Sequence, residues 1–172
     1  MFQDEARFGR ISQPMQCWAP PKVRPVVPTQ IVREYSYAFT ALSPLDGVNH
    51  SLILPWVNGE MMSLFLEEVA TRHPDEHIGM VVDGASWHKA KDLKVPKNMT
   101  LIFLPPYSPQ LNPVECFWKQ VRKQGFYNKA FKTIKSVEDT LEKILRQFEK
   151  LLTTVQSLAG FDWIIRTLLN AN

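Results

Sequence analysis

The chain has 172 residues, 45% of them hydrophobic and 22% charged, a balance that suits a soluble globular protein with a buried core and excludes a disordered or fibrous one. Lysine and arginine total 20 against 17 acidic residues, a formal charge of +3, so affinity for a polyanion must come from where the cations sit. No apolar run is long enough to span a bilayer, no signal-peptide pattern opens the chain, and Cys17 and Cys116 lack disulfide or zinc spacing, which points to a reducing compartment, the cytoplasm.

The first segment, Phe2-Gln-Asp-Glu-Ala-Arg-Phe8, reads as the tail of a strand that leads into a turn at Gly9. Cys17 to Pro28 is too rich in proline for a central strand and reads as a loop or a hairpin edge. Tyr35–Leu42 and Val48–Leu54 are rich in β-formers, and Ser43-Pro-Leu-Asp-Gly47 between them has turn chemistry, which together predict an antiparallel hairpin. From Gly59 to Arg72, Met61, Leu64, Phe65 and Val69 recur at helical spacing. His73-Pro-Asp-Glu-His77 pairs two histidines four apart, but Pro74 breaks a helical zinc geometry and makes the segment a loop. The apolar runs His77–Val82 and Thr100–Leu104 predict two buried parallel strands.

Past Asn112 the pattern is helical. Val114, Phe117, Trp118 and Val121 supply the buried side of one helix. Ser136 with Asp139 resembles a capping box, after which Val137, Leu141, Ile144, Leu145, Phe148, Leu151 and Leu152 fill one face of another. An apolar segment, Phe161 to Leu169, follows Gly160 and suits packing on the domain or dimerisation.

Three acids stand where a sheet would aim them together: Asp4 in the first strand, Asp83 at the end of another, and Glu115 in the first turn after the strand ending at Leu104. Carboxylates are hard oxygen donors suited to Mg²⁺ or Mn²⁺, and two such ions about 3.5–4 Å apart can serve both oxygens of a phosphodiester exchange. Each acid also has a plainer role. Glu115 suits a capping arrangement with Asn112 as N-cap and Pro113 at N1, Asp83-Gly84 suits a strand-ending turn, and Asp4 suits a solvated terminal position.

In order, FQDEARFG (2–9), VVDGASWHKA (81–90) and LPPYSPQLNPVECFWKQVRK (104–123) resemble the catalytic-domain motifs of the mariner-like insertion-sequence transposases of the DDE endonuclease superfamily. The resemblance runs from end to end. It implies an α/β, RNase H-like fold: a mixed five-stranded sheet, three strands antiparallel and two parallel to the first, flanked by helices. It implies one catalytic domain over residues 1–172, without the family's N-terminal helix-turn-helix region and starting inside the first strand. Asp4, Asp83 and Glu115 would be the catalytic acids and would hold two Mg²⁺ ions, with Mn²⁺ as a substitute. Double-stranded DNA would be the substrate, cut at transposon ends and joined to a target, and a homodimer would synapse two ends. Gly84 departs from the asparagine usual after the second aspartate, and the spacing from Asp83 to Glu115 is a little short.

His88, Lys89 and Lys91 would then lie near the DNA phosphates, His88 having also the plainer reading of a hydrogen-bonded structural residue. Lys119 and Arg122 share a helix face with Glu115 and would flank the DNA path, or Lys119 would simply pair with Glu115 on the surface. The rival to an active enzyme is a truncated or domesticated remnant that keeps the fold and binds DNA or a partner without cutting. Asp4 separates the two, because the ladder that holds it is expected to be short. A proline-mediated adaptor role for Pro20–Pro28 is a third, weaker reading.

Overall fold

A computed structural model describes residues 1–170. The first three strands, β1 (Phe2–Ile11), β2 (Ile31–Leu42) and β3 (Asn49–Leu54), form an antiparallel meander. Beyond helix α1 (Gly59–Thr71), strand β4 (Ile78–Val82) runs parallel to β1, and β5 (Met99–Phe103) runs parallel to β4. The sheet order is β3-β2-β1-β4-β5, the mixed sheet expected from the motifs, with β1 at its centre. The chain then turns helical: α2 (Val114–Gly125), α3 (Ile134–Phe148), α4 (Leu152–Ala159) and α5 (Asp162–Leu169). Among the described residues, no helix is long and apolar enough to cross a membrane.

Alternation along the strands builds two cores. Phe2, Ala6 and Phe8 of β1 face the C-terminal helices and pack with Val114, Phe117, Trp118 and Val121 of α2, Leu141 and Phe148 of α3, Val155 of α4 and Ile164 of α5. On the opposite face Phe39, Met80 and Val82 meet Met62, Phe65, Leu66 and Val69 of α1. Burying each such side chain contributes about 1.5–3 kcal/mol, so the strands are clamped from both sides. Helix α1 begins at Asn58, whose Oδ1 accepts from Met61 N–H at 2.8 Å.

Four local expectations change. Gly9 does not turn the chain: β1 continues to Ile11, and glycine is needed because a Cβ there would lie 2.4 Å from Glu34 O and from the Tyr35 ring. The α1 face is rotated, with Met62 and Leu66 buried and Leu64 exposed, because the helix meets one sheet face only along that stripe. The capping box of α3 lies three residues earlier than Ser136–Asp139: Thr133 is the N-cap and Ser136 its reciprocal partner, while Asp139 pairs with Lys135. Leu151 and Leu152 leave the α3 face, since the helix stops at Phe148 and α4 restarts at another angle to bury Val155 and Ala159. The final apolar segment becomes α5, which packs on the domain through Ile164.

Candidate active site

The parallel register pairs Phe2 with Val81, and two residues further along both strands Asp4 comes level with Asp83. Strand alternation turns Asp4 towards the α2 face, where Phe2 and Ala6 also point. Its Oδ2 accepts a hydrogen bond from Trp118 Nε1 at 3.1 Å. The ladder holding Asp4 is not short: β1 pairs with β2 from Phe2↔Leu42 onward, with Asp4 opposite Thr40. Helix α2 adds a second tie, because Asn112 Nδ2 donates to Gln3 O at 3.0 Å.

Asn112 also caps α2, its Oδ1 accepting from Val114 N–H at 3.2 Å. The reciprocal half of a capping box is missing, since the Asn112 N–H goes to Pro109 O. Glu115 is therefore not used in capping. It lies in the first turn, where the helix dipole favours a carboxylate, and among the described residues its side chain has no hydrogen-bond partner. Asn112 and Pro113 fix the start of the helix, and Glu115 projects from that fixed start.

Asp4, Asp83 and Glu115 line one cleft of about 440 Å³, together with Lys89 and the loop Leu104–Pro109. Among the described residues, no three acidic, histidine or cysteine side chains are drawn together into a finished metal cage. The charge balance is unfavourable as it stands. Burial, and then the carboxylates of Glu5, Glu115 and Asp83, push the Asp4 pKa up to about 8. Surplus anionic charge on oxygen donors from three rigid elements fits a hard divalent cation, and such an ion would offset the repulsion that raises Asp4.

His88, expected among the DNA contacts, is buried instead. It sits on a single 3₁₀ turn, Ser86–Lys89, with Nε2 3.0 Å from Glu5 Oε1 and Nδ1 2.8 Å from Asp83 Oδ1. Burial alone lowers its pKa, but the hydrogen bond and charge of Glu5, with the main-chain hydrogen bond and the charge of Asp83, outweigh burial and hold it above the usual value. Lys89 lines the cleft and lies 5.4 Å from the Phe103 ring. A Cβ at Gly84 would come 3.4 Å from Lys89 Nζ, so the amine borders the space that a side chain at 84 would enter. Lys91 is exposed but outside the cleft lining. Lys119 lines an adjoining groove with Asn112, Glu115 and Phe161. Arg122, the other cation expected to flank the DNA, lies over the Phe8 ring at 5.0 Å and lines neither the cleft nor that groove.

The residues that sequence reasoning passed over are Glu5, Trp87 and Trp118. Strand alternation gives the signal for Glu5, because an acid beside Asp4 must point to the other face. Helical spacing gives it for Trp118, three residues after Glu115 and next to the strand that carries Asp4.

Known proteins resemble this chain in fold and in sequence. Two solved structures of the Mos1 transposase superpose well: the Mos1 strand transfer complex, with 15% identity and a TM-score of 0.60 over 92% of this chain and 53% of that one, and the Mos1 mariner paired end complex with Mn, with 13% identity and a TM-score of 0.59 over 93% and 55%. The likeness is one of fold, RNase H-like, and this chain spans about half the length of those structures. A protein of Sinorhizobium fredii (strain NBRC 101917 / NGR234), "Uncharacterized protein y4pE/y4sA", is 41% identical over 137 residues, which is 77% of this chain and 99% of that protein. The family model described as DDE superfamily endonuclease matches residues 1–138, and because that stretch carries all three cleft acids and most of the chain, the protein belongs to the DDE superfamily endonucleases.

Proposed function

We propose that the protein is the catalytic domain of a DDE transposase, which cleaves DNA at transposon ends and joins the freed strand to target DNA. The observation that carries this reading is the convergence of Asp4, Asp83 and Glu115 on one cleft from β1, the end of β4 and the first turn of α2. Those three residues would hold two Mg²⁺ ions, or Mn²⁺ in their place. When bound, the ions would activate the attacking oxygen and stabilise the leaving one. The protein's own part is placement. Trp118 holds Asp4, Asn112 locks the start of α2 to β1, and Lys89 offers a point charge to a phosphate without reading bases. Lys119 extends that charge along the adjoining groove, and Lys91, exposed two residues beyond Lys89, would be a further phosphate contact.

Double-stranded DNA is the substrate in this reading, residues 1–172 form one catalytic domain (171 and 172 lie outside the described residues), and synapsis of two transposon ends calls for a homodimer. The reducing cytoplasm suits Cys17 and Cys116, which are both unpaired. The test is a strand-cleavage assay on DNA carrying transposon ends in Mg²⁺ or Mn²⁺, with Asp83→Asn and Glu115→Gln alongside. Metal-dependent cleavage that both substitutions abolish is the expected result. DNA binding without cleavage in either metal would instead identify a remnant that keeps only the fold.

A further inference from the structure

Asp83 divides its carboxylate between the protein and the cleft. Oδ1 accepts from Ala85 N–H at 2.9 Å and lies at ion-pair distance, 2.8 Å, from His88 Nδ1, which also hydrogen-bonds the Asp83 main-chain oxygen at 3.2 Å, while among the described residues Oδ2 has no partner. The side chain of His88 is fully buried, and its other nitrogen lies 3.0 Å from Glu5 Oε1. Glu5 is itself 6% exposed and accepts a second hydrogen bond, from Trp87 Nε1 at 3.2 Å. Neither Glu5, Trp87 nor His88 lines the cleft. Adjacent residues of one strand thus serve the same site from two sides: Asp4 enters the cleft on the α2 face, and Glu5 reaches the back of the second acid through an imidazole.

An imidazole tethered at both nitrogens cannot turn without breaking both contacts. Asp83 otherwise needs such a restraint, because its side chain is half exposed at the end of β4 and the residue after it is glycine. We propose that Glu5 and His88 are positioning residues that hold Asp83 in one rotamer, with Oδ1 on the imidazole and Oδ2 presented to a divalent cation. The ion is part of the functional reading above, and the inference rests on that reading for its consequence. Partners of this kind, one shell behind a metal ligand, set both ligand orientation and metal affinity.

Two substitutions separate positioning from plain packing, because an asparagine amide nitrogen falls where histidine Nδ1 lies and a glutamine amide nitrogen falls near Nε2. Mn²⁺ binding to the full chain, read from the electron paramagnetic resonance signal of the free ion, is the measurement. His88→Gln, which loses the donor to Asp83, is expected to weaken Mn²⁺ binding about 10–100-fold, and His88→Asn, which keeps that donor but gives up the tie to Glu5, to weaken it several-fold less. Equal affinity in the two variants, whether both are weak or both normal, overturns the proposal. Should His88→Gln fail to fold, Glu5→Gln against Glu5→Met supplies the same contrast, since the amide oxygen keeps an acceptor for Nε2 and the thioether does not. If wild type and Asp83→Asn take up Mn²⁺ equally, the metal reading has failed, and crystal structures of the two His88 variants then decide the positioning claim. Asp83 must keep its rotamer in His88→Asn and leave it in His88→Gln; an unchanged rotamer in both sinks the claim.

Discussion

Two clusters of titratable side chains lie at different places on this sheet, and they treat charge in opposite ways. Where β3 meets the end of α1, Arg72 Nη1 lies 3.3 Å from His50 Nδ1, His50 Nε2 lies 2.8 Å from His73 Nε2, and His73 Nδ1 bonds to the Glu76 carboxylate. A guanidinium can only donate, so His50 accepts at Nδ1 and donates from Nε2, and His73 then donates from Nδ1 to Glu76. Every donor in that chain has an acceptor. The cleft acids, by contrast, gather three carboxylates from β1, β4 and α2 around a single lysine, Lys89, and burial together with the neighbouring carboxylates lifts the Asp4 pKa to about 8. A closed network stabilises a fold, whereas an unbalanced one in a cleft points to a ligand of opposite charge.

Breaking the open cluster should have the largest effect. Asp83→Asn or Glu115→Gln is expected to reduce strand cleavage to background while circular dichroism stays that of the wild type, because both carboxylates project from fixed elements without holding the core together.

Asp4→Asn divides function from stability. With a folded pKa of about 8 against an ordinary value of 3.8, Asp4 binds a proton more readily in the native state. Its contribution to stability is therefore fully present below about pH 4 and is lost as pH rises towards 8. In metal-free buffer, Asp4→Asn should remove that decline and raise the melting temperature at pH 8 more than at pH 5, while cleavage is lost. Added Mn²⁺ should raise the wild-type melting temperature more at pH 8 than at pH 5, as an ion that competes with the proton must.

The closed cluster should give a smaller effect of opposite sign. Burial first, then the charges of Arg72 and His73, lower the His50 pKa to about 4 from 6.5. The unfolded chain then binds the extra proton, so stability falls as pH drops from 6.5 towards 4. His50→Gln should flatten the melting-temperature profile in that window and leave cleavage at neutral pH unchanged. The smallest effect is expected from Lys89→Ala, which should weaken DNA binding equally across sequences and reduce the slope of log affinity against log salt by about one, as loss of one phosphate contact requires.

How much of this was legible before folding depends on the range of the interaction. The hairpin, the parallel strands, the buried side of α2 and the loop at Pro74 follow from periodicity and turn chemistry, which act over a few residues. The cap of α3 falls at Thr133, one turn before the Ser136 that local pattern favours, because both residues can cap and only the actual start of the helix decides between them. The final apolar run could not be divided between core and interface by its pattern, and Ile164 shows that at least part of it serves the core.

The candidate site separates along the same line. By itself the sequence determined which acids were available, that Asp4 lay in the first strand, and that Asp83 and Glu115 lay at the end and start of their elements, because prolines, glycines and β-branched runs set those boundaries locally. Only the tertiary structure decided that Asp4 stands level with Asp83, that Glu115 is free of its capping role, and that Arg122 packs on the Phe8 ring. It also decided that His88 is buried between two carboxylates from strands far apart in sequence. Strand register and the docking of α2 on β1 depend on contacts between residues 83 to 114 positions apart, and no local pattern carries that information.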